Sequence, residues 1–75
     1  MAINNNHMAT IKERLGNKIQ KLRKELGLTQ EEFAEKINIS RTHMGHIEQG
    51  RKSPSLKVME KFARTLKVKV SDLFS

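Results

Sequence analysis

Residues 29–50 read TQEEFAEKINISRTHMGHIEQG, and this stretch decides the fold. Thr29 is a good N-cap, and Glu32 stands three positions on as the reciprocal partner of a capping box. Phe33, Ala34 and Ile37 then share one helix face. Asn38 stops that helix, because Asn tolerates the left-handed conformation a helix end requires. Ile39 plugs the turn and Ser40 caps a second helix. Met44 and Ile47 turn the second helix's apolar face inward, and Gly50 ends it. Two short helices joined by a tight turn of three to four residues make a helix-turn-helix.

The outward positions of the second helix are Arg41, Thr42, His43, Gly45, His46 and Gln49. They are polar and contain no acid. Such a face hydrogen-bonds base edges in a major groove without repelling phosphate. A merely solvated face usually mixes Glu and Lys, as the first helix of the motif does with Glu31, Glu32, Glu35 and Lys36. Gly45 in mid-helix costs roughly 1 kcal/mol relative to Ala. It reads either as a place of close approach to DNA or as tolerated drift.

The chain has 75 residues, enough for one domain with a small core. Fifteen Lys plus Arg against eight Asp plus Glu give a formal charge of +7. That balance favours a polyanionic partner without choosing among DNA, RNA and anionic membrane. With three Phe and no Tyr or Trp, it lacks the aromatic platforms on which single-strand readers stack bases. The absence of cysteine leaves no disulfide and no thiolate metal site, which suits a reducing compartment. The apolar runs are too short to span a membrane and the N-terminus is polar, so a cytoplasmic location is expected.

Working outward, residues 1–9 show no periodicity and read as a flexible arm or an expression scar, with Met8 a possible natural start. Residues 10–75 are expected to form a helix-turn-helix DNA-binding domain. Ile11, Leu15, Ile19, Leu22 and Leu26 form a helical stripe from Thr10 to Leu26, opposite Lys12, Arg14, Lys18, Lys21 and Lys24. Gly27 closes that helix and Leu28 packs back. Beyond the motif, Pro54 breaks any continuing helix and Ser55 caps a helix to Leu66 with a stripe of Leu56, Met59, Phe62, Ala63 and Leu66. Residues 71–74 read as a last short helix capped by Ser71. The architecture is all-α, a compact five-helix domain. Val68 and Val70 alternate with lysines, but such a strand has nothing to pair with.

Several segments, taken together, resemble the Cro/C1-type (xenobiotic-response-element) helix-turn-helix family. They are LRKELGLTQEEFAEKI, SRTHMGHIEQGRKSPSL and LKVKVSDLF, and the match runs from about Leu15 to Phe74. Its motifs LTQEE, IEQG and PSL stand in the family's order and spacing. Within the family, the size and RTHMGHIE look most like restriction–modification controller proteins or phage repressors. The resemblance implies a lambda-repressor-like fold. It implies base reading by Arg41, Thr42, His43 and His46, and phosphate binding by Thr29, Gln30, Gln49, Arg51 and Lys52. It also has Gln30 brace the second motif helix, and Arg23 pair with Glu48 in a largely buried salt bridge. The chain departs from the family at Asn38, where Gly is usual, and at Gly45.

No phosphate-binding glycine loop, nucleophile elbow or carboxylate pair is present, so no enzymatic activity is expected. His43 and His46 lack a third ligand, so no metal or other cofactor is expected, and no small-molecule ligand is evident. The expected function is sequence-specific binding of double-stranded DNA in transcription regulation. One such helix reads only a few base pairs, which points to a homodimer on a two-fold operator. Leu73 and Val70 are expected in the core, with Phe74 at the subunit contact and Lys67 and Asp72 nearby. The alternatives are an antitoxin that regulates its own operon, and a helical protein-interaction module with incidental basic charge.

Overall fold

The computed structural model describes residues 9–75; the expected arm lies almost wholly outside them. Every regular element among these residues is helical. In chain order they are α1 (Ile11–Glu25), α2 (Gln30–Ile37), α3 (Arg41–Glu48), α4 (Leu56–Leu66) and a 3-10 helix (Val70–Phe74). No helix among them is long and apolar enough to cross a membrane.

Local chemistry sets each boundary. The Thr10 hydroxyl accepts from the Glu13 N–H at 3.1 Å, and the Thr10 N–H donates to the Glu13 carboxylate at 2.9 Å. Thr29 and Glu32 repeat this reciprocal box on α2. Ser40 and Ser55 accept from the N–H groups of His43 and Val58, starting α3 and α4. Each of these satisfies helix N–H groups that have no intrahelical partner, and one cap contributes about 1 kcal/mol. The four α-helices end alike. Gly27, Asn38, Gly50 and Lys67 all have positive φ, and the next residue's N–H reaches back to a carbonyl of the last turn. Lys67 at φ 61° is the surprise, since a side chain in this conformation costs roughly 1–2 kcal/mol.

The last element differs from its sequence reading. Ser71 lies inside it rather than capping it. The start is held by the Lys69 N–H donating to the Asp72 carboxylate at 3.0 Å, and the turn winds as 3-10. Five residues with one fully buried anchor, Leu73, are too few to propagate an α-helix.

Ile19, Phe33, Ile37, Met44, Ile47, Phe62 and Leu73 are fully buried and make the centre of the core. The rings of Phe33 and Phe62 lie 5.3 Å apart and tilted, joining α2 to α4. The apolar stripes overshoot this core. Ile11, Leu26 and Leu56 remain 69%, 46% and 67% exposed, each at the first residue or the cap of its helix.

Two glycines let α1 approach α3 closely. At Gly16 an added Cβ would stand 2.6 Å from the Glu48 carbonyl oxygen, so α1 and α3 approach through backbone. At Gly50, with φ 76°, an added Cβ would stand 2.7 Å from the Glu13 Cα. Both positions tie α3 to α1 at a distance no side chain permits.

Candidate nucleic-acid interface

Helix α3 presents two unlike sides. Met44, Ile47 and Glu48 are buried, with Glu48 only 3% exposed. Around the Glu48 carboxylate three donors converge. Arg23 Nε donates to Oε2 at 2.7 Å, Arg23 Nη2 to Oε1 at 3.1 Å, and Gln30 Nε2 to Oε1 at 3.0 Å. Arg23 Nη1 donates to the Leu28 carbonyl at 2.7 Å. The bidentate fork fixes geometry as well as charge. One carboxylate thus bolts α3 to α1 through Arg23 and to α2 through Gln30.

The other side of α3 carries no such bonds. Arg41, Thr42 and Gln49 are exposed; His43, Gly45 and His46 are half-buried on its flanks. Among the described residues, the side chains of Arg41, Thr42, His43, His46 and Gln49 make no hydrogen bond within the chain, so their donors and acceptors stay available. Thr29 is exposed and Gln30 half-buried at the start of α2, while Arg51 and Lys52 are exposed just past α3. The chain returns there firmly, since the Arg51 N–H donates to the His46 carbonyl at 2.8 Å. The structure therefore gathers Gln30, the α3 side chains and the Arg51–Lys52 turn around one helix. Lys67, Asp72 and Phe74 lie elsewhere, at and beyond the end of α4.

Two contributors escaped the reading of the sequence. Gly16 had a signal, a glycine beside Leu15 on the apolar side of a long helix. The Leu28 carbonyl had none, since any residue supplies one. Glu32, fully exposed, has its carboxyl held below the ordinary carboxylate range by its hydrogen bonds to the Thr29 backbone and hydroxyl.

A short capped helix bolted by its buried side across a partner helix, with a free polar face, defines a helix-turn-helix domain. Residues 19–73 match the helix-turn-helix family model, and the chain belongs to the Cro/C1-type helix-turn-helix family of transcriptional regulators. The control protein C.MunI of Mycoplasma sp is 46% identical over 69 residues, covering 91% of this chain and 93% of that one. Among solved structures, the restriction-modification controller protein C.AhdI from Aeromonas hydrophila superposes with a TM-score of 0.78 at 31% identity. That match covers 83% of this chain and 94% of that one. SinR, the master regulator for biofilm formation, solved in complex with DNA, superposes with a TM-score of 0.76 at 32% identity over 81% of this chain and 98% of its own.

Proposed function

We propose that this chain is a cytoplasmic, sequence-specific regulator of transcription that binds a two-fold DNA operator as a homodimer. The observation that carries the proposal is the division of α3. Its buried side is locked by Arg23, Glu48 and Gln30, and its outward side is polar, free of acid and unbonded. A rigidly held helix with unspent hydrogen-bonding groups is what direct readout in the major groove requires. The DNA complex of a relative of the same fold supports the same partner.

In this mechanism α3 enters the major groove. The planar fork of Arg41 reads the two acceptors of a guanine edge, and Thr42, His43 and His46 read neighbouring bases. Thr29, Gln30, Gln49, Arg51 and Lys52 hold phosphates on either side and set the register. Gln30 has one amide N–H in use on Glu48, which leaves its second N–H for a phosphate. The net charge of +7 speeds the encounter. Two chains then place their recognition helices about 34–36 Å apart, one turn of DNA. Phe74, 46% exposed, with Lys67 and Asp72 close in sequence, supplies the subunit contact. Whether bound protein represses or activates follows from where the operator lies relative to the promoter.

The test is selection of bound duplexes from a random oligonucleotide pool. A palindromic consensus with half-sites one helical turn apart is expected. Recovery of unrelated duplexes would exclude the proposal and favour a protein-interaction module with incidental charge.

A further inference from the structure

The α2-facing shoulder of the recognition helix contains a notch that the fold does not need. A Cβ added at Gly45 would meet nothing nearer than the Gln30 Oε1, at 3.8 Å, which is ordinary contact distance. Alanine therefore fits, and alanine favours a helix more than glycine does. Packing gives no reason for a glycine here, unlike Gly16 and Gly50, where backbone blocks any side chain. Gly45 also sits one turn after Arg41 and next to His46, among the groups of the outward face.

The floor of the notch has a fixed polarity. Both Glu48 carboxylate oxygens accept hydrogen bonds from Arg23, and Gln30 turns its NH2 group toward the same carboxylate. The amide oxygen is thereby left beside Gly45. Among the described residues no donor is bonded to that oxygen. The Arg23–Glu48 pair orients an acceptor on the DNA side of the molecule as well as holding the helix.

We infer that Gly45 and Gln30 form a specificity notch that admits one base edge, whose exocyclic amino group donates to the Gln30 carbonyl oxygen. Adenine N6 and cytosine N4 are the amino groups exposed in the major groove, so one position in each half-site is adenine or cytosine. This inference rests on the proposed operator binding and gives Gln30 a base-reading role beyond a phosphate contact.

The experiment compares wild type, Gly45→Ala and Gln30→Ala by selection from a random duplex pool, by titration of the wild-type operator and of a scrambled duplex, and by thermal melting. Gly45→Ala is expected to melt about 4–8 °C higher. It should bind the operator about tenfold more weakly and leave the scrambled duplex unchanged. Gln30→Ala is expected to lose the adenine-or-cytosine preference at one position per half-site. Gly45→Ala protein that melts higher yet binds the operator as tightly as wild type overturns the notch while leaving operator binding standing. Gln30→Ala protein that weakens on every duplex equally, with its consensus intact, overturns the base-reading role. A wild type that selects no consensus overturns both this inference and the proposed function.

Discussion

The recognition helix and the C-terminal 3-10 helix are both short, eight and five residues, yet they are held in opposite ways. Helix α3 has a serine cap, a left-handed glycine stop, three buried residues and a three-donor carboxylate on its inner side. The 3-10 helix has one fully buried side chain, Leu73, and one carboxylate bonded to its leading N–H. Burying Leu73 contributes about 1.5–3 kcal/mol, enough to dock the segment. Phe74 beside it stays nearly half exposed. Precision is concentrated in one of the two elements: the orientation of α3 is over-determined, whereas the 3-10 helix has a single anchor and an uncovered apolar group beside it.

The largest expected effect tests the over-determined side. Glu48→Ala removes the shared acceptor and leaves the Arg23 guanidinium buried without its partner. Breaking a buried pair from one side costs about 3–5 kcal/mol. Chemical denaturation should show that loss, whereas Glu35→Ala on the exposed face of α2 should change stability by less than about 0.5 kcal/mol. Equal, small effects would mean that the buried pair contributes no rigidity.

Next in size is the outward face. Arg41→Ala should leave the melting temperature nearly unchanged and cost about 1–3 kcal/mol on the selected operator, relaxing one position per half-site. Equal weakening on operator and scrambled duplexes would make Arg41 a phosphate contact.

Phe74→Ala probes the lightly held region. It should weaken self-association about tenfold, as removal of a central interface aromatic commonly does. Because Phe74 is exposed and Leu73 carries the anchoring, the variant's unfolding should stay close to wild type. Sedimentation over a concentration series measures the first, and melting the second. Normal association with early melting would return Phe74 to the core.

The fold was largely legible because its boundaries are written in short-range chemistry. Thr29 with Glu32, Ser40, Asn38 and Gly50 each act within four residues of themselves, and all do in the structure what their types imply. Legibility failed where the cause lies outside the local sequence. Periodicity places Ile11 and Leu56 on apolar stripes, but each is the first residue of its helix and stays exposed, which a stripe alone does not foretell. Lys67 adopts the left-handed conformation because α4 must stop and Val68 must reach back to the Ala63 carbonyl, not through any preference of lysine. The surroundings of the candidate site were legible through Gln30, Arg23 and Glu48 only by family resemblance. Residues 25 positions apart do not announce their pairing.

The smallest expected effect concerns the α2 cap. The folded carboxyl of Glu32 titrates below its unfolded value, so its contribution is present above the ordinary carboxylate range. It is lost as pH falls through the lower folded value. Glu32→Gln should therefore be slightly less stable than wild type at neutral pH, and the gap should close in acid. Melting both proteins from pH 7 to pH 2.5 checks this, and a gap independent of pH would contradict it.

In the proposed function, two copies of this firmly held helix read one two-fold site. The most direct test is titration of the wild-type protein on the selected operator, its isolated half-site and a scrambled duplex, with stoichiometry read by sedimentation at fixed salt. Two chains on the operator and one on the half-site are expected, with operator binding at least about 10³-fold tighter than binding to scrambled DNA. One chain on the full operator, or equal affinity for operator and scrambled duplex, would contradict it.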